Sequence, residues 1–345
     1  MTALTPALSP EVALAAWGID TPLLPCPDAG LINRTFLVGA PPQAVLQWVN
    51  PLFPPVIHED IARLLARLDA AGLPGTALLP RPGGALWLDD PATGCWRLLR
   101  FVPGRTLHRF TRPAEAAAAG RLVGRFHAAT DGWVPPRAAP VRRIHDTPSR
   151  FSDLESALEA HSAHPLAPEV RPVAEALLGA WRRWDGALGL PERQSHGDLK
   201  ASNLRFHATA DEGVCLLDLD TIGPLDISCE LGDAWRSWCN PAGEDDPETA
   251  RFDLTLFTAA AGGFFETGPR LSAEERAALV PGVERICLEL GARFAADALN
   301  NRYFREDTAR FPAPGAHNLH RARAQLALAR SVRAQRRAAE SALPA

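Results

Sequence analysis

The chain is almost devoid of lysine: it has 36 basic residues, of which Lys200 alone is a lysine and the others are arginines. Chemistry that needs a lysine amine, to grip a phosphate or to form a Schiff base, therefore has one place to occur. Cysteines are few and scattered, at positions 26, 95, 215, 229, 239 and 287, without a C-x-x-C pair. That spacing excludes a zinc ribbon or a thioredoxin-like redox motif and leaves reduced core or boundary thiols. Long apolar runs are missing too, the longest (254–265) being shorter than a bilayer span requires. The first twenty residues carry no basic n-region, and Pro6 and Pro10 break their apolar stretch. No targeting segment and no membrane partner are expected, and a cytoplasmic location is. The formal net charge of -4 gives no reason to expect a nucleic-acid partner.

What is present is a chain of 345 residues, longer than one domain usually runs, with 46% hydrophobic and 22% charged residues. A packed core shared between two lobes is expected. The stretch 195–223 organises the rest. It reads Ser-His-Gly-Asp-Leu-Lys-Ala-Ser-Asn-Leu-Arg-Phe, then a polar turn, then Val-Cys-Leu-Leu-Asp-Leu-Asp-Thr-Ile-Gly. A lone His-Gly-Asp reads equally well as a turn with a capping Asp. The composite is more specific: His196, Gly197, Asp198 and Asn203 hold the H-x-D-x-x-x-x-N spacing of a kinase centre, and an apolar run ends in Asp218 with Asp220 two residues on. In that pattern Asp198 accepts the proton of a substrate hydroxyl, and Asn203 offers an amide oxygen to magnesium. The apolar runs 204–206 and 214–217 flank a Gly-containing polar loop, so they predict a hairpin that returns Asp218 beside Asn203. Lys200, two residues beyond the base, is placed to neutralise a phosphoryl group as charge develops.

The N-terminal part predicts an antiparallel sheet with one helix. Residues 10–17 read as a short helix and 31–38 as a strand entered through Gly30. The turn around Gly30, with Asn33 and Thr35, is a candidate phosphate cover, although it holds one glycine and reads also as an ordinary hairpin. Residues 44–49 form the next strand, where a kinase would carry its phosphate-binding lysine; Gln47 stands there instead. Two readings stay open. Either Gln47, Arg34 or Lys200 covers that role, or the fold binds nucleotide without catalysis. Residues 55–72 follow as a helix with Ile57, Ile61, Leu64, Leu65 and Leu68 on one face and Glu59 and Asp60 in its first turn. Short strands at 78–80, 85–88 and 96–102 complete the sheet, and Pro103-Gly104 reads as a hinge, with the backbone of Arg100, Phe101 and Val102 available to an adenine ring. Beyond it the pattern turns helical, at 113–130 with His127 as a packed or capping histidine, at 168–185, and in an Ala- and Arg-rich final helix. Asp233 and Arg236, in Gly-Asp-Ala-Trp-Arg, either fix the loop carrying Asp198 or touch the acceptor.

These motifs resemble the aminoglycoside phosphotransferase and choline kinase family, small-molecule relatives of the protein kinases. Within it, Gly-Leu-Ile-Asn-Arg-Thr-Phe-Leu-Val from Gly30, Val-Leu-Gln-Trp-Val-Asn-Pro from Val45, Leu-Asp-Leu-Asp-Thr-Ile from Leu217, Glu-Leu-Gly-Asp-Ala-Trp-Arg-Ser from Glu230, Leu-Asn-Asn-Arg-Tyr-Phe from Leu299 and His-Asn-Leu-His-Arg-Ala-Arg-Ala-Gln from His317 are similar to the N-acetylhexosamine 1-kinase branch. The segment His196-Gly197-Asp198-Leu199-Lys200 departs from that branch and keeps the broader kinase form. The resemblance implies an α+β, bilobal protein-kinase-like fold, with an antiparallel-sheet lobe over 1–102 and a mainly helical lobe over 103–345. It implies ATP and Mg2+ as cofactors and phosphorylation of a small-molecule hydroxyl, that of the anomeric carbon of an N-acetylhexosamine or related sugar, by a monomer or homodimer. Nucleotide contacts would come from Gly30, Asn33, Thr35, Gln47 and 100–102, metal ligands from Asn203 and Asp218 with Asp220 a further ligand or a carboxylate supporting one, and acceptor contacts from Asp198, Asp233, Arg236, Tyr303, His317 and Arg321. Two other readings remain: an aminoglycoside- or choline-type kinase, for which the acidic run 243–248, which reads also as a solvated surface loop, would receive a cation, and a nucleotide-binding pseudokinase.

Overall fold

A computed structural model describes residues 5–27, 32–73, 75–141, 144–304 and 306–344. Pro10–Ala15 (α1) begins the described fold, started by Ser9, whose hydroxyl accepts the Val12 N–H. A five-stranded antiparallel sheet follows, from Leu23–Pro25 (β1), Arg34–Val38 (β2), Ala44–Val49 (β3), Leu88–Asp89 (β4) and Cys95–Arg100 (β5), in the order β1-β2-β3-β5-β4. Side chains alternate across a strand, and this alternation divides the sheet's work. Leu46, Trp48, Trp96 and Leu98 pack with Ala13, Leu14 and Trp17 of the α1 region. On the opposite face, Thr35, Gln47 and Arg97 stand side by side on three neighbouring strands. Ile57–Ala70 (α2) buries Ile57, Ile61, Leu64 and Leu68, the expected stripe, in the main core.

Arg105–Thr106 (β6) comes after the five-stranded sheet and pairs with Leu204–Phe206 (β8, below), in the second lobe. That lobe is mostly helical: Pro113–Ala129 (α3), Thr147–Ala160 (α4), Ala167–Arg182 (α5), Ile227–Trp238 (α6), Leu254–Thr267 (α7), Ala273–Asn300 (α8) and Ala316–Ala342 (α9). Two small antiparallel pieces are set among them. Glu192–Ser195 (β7) pairs with Gly223–Asp226 (β10), and β8 pairs with Gly213–Leu216 (β9) in the hairpin that the polar loop predicts. α8 lies at the centre, buried along nearly its whole length. It meets α6 closely because a Cβ at Gly232 would stand 2.7 Å from the Gly282 carbonyl and one at Gly282 would stand 2.2 Å from the Ser228 carbonyl; only hydrogen fits at these positions. None of the described helices is long and apolar enough to cross a membrane. Cys95, Cys215, Cys229, Cys239 and Cys287 are buried free thiols.

Candidate active site

The loop between β7 and β8 carries the candidate base, and α6 holds it from beneath. Glu230, in the first turn of that helix, accepts the N–H groups of His196 and Gly197 at 2.7 and 2.9 Å. One turn on, Asp233 accepts the Leu199 N–H at 2.9 Å, Ser237 accepts that of Ala201 at 3.1 Å, and the Trp238 indole donates to the Leu199 carbonyl at 2.7 Å. Residues three and four apart share one helix face, so a single rigid element pins the loop at successive points. Burial works against the Glu230 carboxylate, but His127, 3.5 Å away, and the His196 amide outweigh it and hold its pKa low. His127 is thus the packed histidine that its helix position suggested. Gly197 takes φ +83°, and a Cβ there would stand 2.7 Å from the Thr221 carbonyl, so the turn before the base requires glycine.

His196 ties the two halves of the site. Its Nε2 donates to the Leu217 carbonyl at 2.8 Å and its Nδ1 accepts the Asp198 N–H at 3.3 Å, while Thr221 donates to its carbonyl at 2.7 Å. The Leu217 N–H donates to the Asn203 carbonyl at 2.8 Å, and the hairpin does return Asp218 beside Asn203. Asp198 is 29% exposed, with its Oδ2 2.5 Å from the Lys200 amine and 3.0 Å from the Asn203 amide nitrogen. Burial acts to lower the Lys200 pKa; the Asp198 and Asp218 carboxylates outweigh it and raise it, so the amine stays charged. Asp218 has φ 58° and ψ 60°, left-handed values that aspartate tolerates better than most non-glycine residues and that cluster at functional sites. Its carboxylate opens to solvent. Crowding by protein atoms, followed by repulsion from Asp220, raises its carboxyl to about 6.

Among the described residues no three His, Cys, Asp or Glu side chains gather into a metal cage. An open set is present instead: the Asp218 carboxylate and the Asn203 amide oxygen accept no hydrogen bond among the described residues, while the Asn203 amide nitrogen is turned towards Asp198. Two hard oxygen donors without protein partners fit a divalent cation that shares its remaining positions with water and phosphate. Asp220 does not join them. Both its oxygens are gripped by the guanidinium of Arg97 and one also accepts from Asn33 at 2.7 Å. The Asp220 and Arg97 side chains are 1% and 2% exposed.

The expected nucleotide contacts separate in the same way. Gly30 lies outside the described residues. Gln47 and Thr35 bond each other at 3.0 Å, and Gln47 accepts from Arg97 Nε at 2.9 Å, so their polar groups serve the sheet rather than an open cleft. Arg34 lies over the Trp48 ring. In the hinge, the Arg100 N–H donates to Ala77 and its carbonyl accepts from Thr76, the Phe101 N–H donates to Gln43, and the Val102 carbonyl accepts from Arg205. The Phe101 carbonyl and the Val102 N–H have no partner among the described residues, which narrows an adenine edge to those two groups.

Asp233 and Arg236 are each 4% exposed. Of the two roles left open for them, supporting the loop is what their burial allows. Arg236 bonds Asp233 and reaches Glu244 at 2.5 Å, and the neighbouring Asp245 takes Arg321 at 3.0 Å and His317 at 3.1 Å. Two of the four acids of the run are thus paired to arginines, while Asp246 bonds within its own turn to Thr249. His317 is buried and stacked on Phe311, and Tyr303 lies against Phe304 and Arg293. His317 and Arg321, near the start of α9, meet Asp245, whose neighbour Glu244 reaches Arg236 and through it Asp233, the acceptor of the Leu199 N–H. Glu59 pairs with Arg63, while Asp60 pairs with Arg63 and accepts the N–H groups of Ala138 and Ala139; neither acid enters the site.

Two residues of the site escape sequence reading. Arg97 sits among apolar neighbours on β5, and its partner lies 123 positions away. Only the sheet register, which faces it with Gln47, would have pointed to it. His58 stacks on Trp87, and burial, followed by the charge of Arg97, lowers its pKa to about 4. No motif marks it.

The architecture is that of the protein-kinase-like folds. The chain superposes on the microcompartment-associated aminopropanol kinase with a TM-score of 0.63 at 16% identity, over 96% of this chain and 97% of the other. An aminoglycoside phosphotransferase from Alicyclobacillus acidocaldarius subsp. acidocaldarius gives 0.61 at 13% identity over 99% of both chains. The amicoumacin kinase solved with AMP-PNP, Ca2+ and its ligand gives 0.55 at 15% identity, over 86% of this chain and 87% of the other. Residues 26–270 match the phosphotransferase enzyme family, and with its site segments and most of its length inside that match the chain belongs to this family and is a phosphotransferase.

Proposed function

We propose that the protein is an ATP- and Mg2+-dependent kinase that transfers the γ-phosphoryl group to a hydroxyl of a small molecule, the anomeric hydroxyl of an N-acetylhexosamine or related sugar. The observation that carries the reading is that the partly exposed Asp198 is met by Lys200 and Asn203, with the exposed Asp218 close enough to Lys200 to act on its charge. Asp198 orients the acceptor hydroxyl and takes its proton. Lys200 meets the negative charge that develops on the transferring group. Bound at Asp218 and Asn203, Mg2+ would supply neutralisation of the nucleotide's phosphate oxygens. The solved amicoumacin kinase, with its nucleotide analogue and divalent ion, supports the cofactor assignment by analogy of fold.

A neutral acceptor is favoured over a cationic one by the state of the acidic run. Glu244 is bound to Arg236 and Asp245 to Arg321, so two of the run's four carboxylates are already engaged and less negative charge is left there for an aminoglycoside or a quaternary amine. The similarity to N-acetylhexosamine 1-kinases points to the same acceptor class. Acceptor-dependent ADP release across sugars, amino sugars, aminoglycosides and choline, with NMR placement of the phosphate, tests the assignment. Asp198→Asn is expected to lower kcat by about 10²-fold or more while nucleotide binding persists. Undiminished ADP release in that variant would remove Asp198 from its role, and turnover of choline or aminoglycosides without turnover of sugars would overturn the acceptor class.

A further inference from the structure

The lysine missing from β3 has a counterpart on the next strand. Gln47 is the direct cross-strand neighbour of Thr35 on one side and of Arg97 on the other, and residues so paired have Cβ atoms about 5 Å apart. A lysine at this position would press a second cation against a guanidinium that is 2% exposed, where like charges repel strongly. Glutamine does the opposite: its carbonyl accepts from Arg97 Nε at 2.9 Å and its amide nitrogen donates to Thr35 at 3.0 Å. The two terminal guanidinium nitrogens then take both oxygens of Asp220, and Asn33, whose own oxygen accepts the Asn50 N–H at 3.0 Å, adds a bond to the same carboxylate. Thr35, Gln47, Arg97 and Asn33 belong to the sheet lobe; Asp220 belongs to the turn that begins at Asp218.

We propose that Arg97 is the cation by which the sheet lobe positions the metal-binding turn. It clasps Asp220 and so holds Asp218, two residues earlier, in its left-handed conformation, in place of a β3 lysine that would touch phosphate. The proposal rests on the kinase reading above. Arg97 is a positioning residue, Asp220 is its acceptor and not a ligand, and Gln47 is the neighbour that this arrangement demands. Since the guanidinium is spent on Asp220 and Gln47, the side-chain cation offered to the phosphates is Lys200 of the helical lobe.

The test is binding of Mn2+·ADP, followed by calorimetry and by Mn2+ EPR, in the wild type, Arg97→Gln, Asp220→Asn and the double variant, below their melting temperatures. Each single variant is expected to weaken binding by about tenfold or more. The double is expected to lie within about threefold of either single, because both remove one interaction. Three results would each overturn the clasp: wild-type affinity in Arg97→Gln alongside a loss in Asp220→Asn, which would make Asp220 a ligand; losses that multiply in the double; and lowered melting temperatures with unchanged affinities, which would make the pair merely structural. Where Arg97→Gln fails to fold, Arg97→Lys keeps the buried charge but cannot grip both oxygens, and its expected loss is about fivefold or more; unchanged affinity there also overturns the proposal. A wild type that does not bind Mn2+·ADP at all would instead sink the kinase reading.

Discussion

Lys200 is the residue on which the chemistry puts the heaviest demand, since it stands between Asp198 and Asp218 and is the sole lysine of the chain. Lys200→Met is expected to lower kcat by about 10²–10³-fold with a much smaller change in nucleotide affinity, because its charge acts where charge develops. Steady-state ADP release beside calorimetric nucleotide binding separates the two effects. His58 makes a different prediction, for stability. Its pKa falls from 6.5 unfolded to about 4 folded, so the unfolded chain binds the extra proton between those values and stability is lost as pH drops through that window. Relative to His58→Phe, which keeps the ring beside Trp87, the wild type should lose up to roughly 3 kcal/mol between pH 6.5 and pH 4. Urea titrations of both proteins across that range measure it, and parallel pH curves would refute it. At this scale a motif of short spacing makes the proximity of His196, Asp198, Lys200, Asn203 and Asp218 legible in the sequence. The sequence is silent for Arg97 and His58, whose partners are set by strand register and packing.

Among the elements, α6 decides most. It is buried on nearly every side, and it presents Glu230, Asp233, Ser237 and Trp238 to the loop carrying Asp198. Glu230→Gln keeps the shape but turns an amine towards backbone donors that the carboxylate now satisfies, leaving at least one of them unpaired. A loss of roughly 2–4 kcal/mol is expected by denaturant unfolding, with turnover reduced even where the variant remains folded; unchanged stability would mean that the loop does not depend on this helix. Amphipathic or capped helices such as α2, α3 and α5 were legible from periodicity, within a few residues at their ends. α8 was not, because a helix buried all round carries no apolar stripe to set against a polar face. The hairpin of β8 and β9 was legible because two apolar runs flank a loop with a glycine.

For the molecule as a whole, the division into a sheet lobe and a helical lobe follows from local signals: alternation and turn residues before Pro103-Gly104, Ala-rich helical spacing after it. The placement of the acidic run does not. It reads as an open negative surface, yet Glu244 and Asp245 are tied to Arg236 and Arg321 from α6 and α9, elements whose approach no local pattern announces. The sequence by itself determined the class of chemistry, since a base, an amide oxygen and a carboxylate within 21 residues and one hairpin are brought together by local geometry alone. Tertiary structure decided what replaces the missing lysine and which acid serves which purpose. Asp218 and Asp220 are equivalent on paper; one is open and the other is buried under Arg97 because strands and turns far apart in the chain close around it, and desolvation makes that choice only once the lobes have packed.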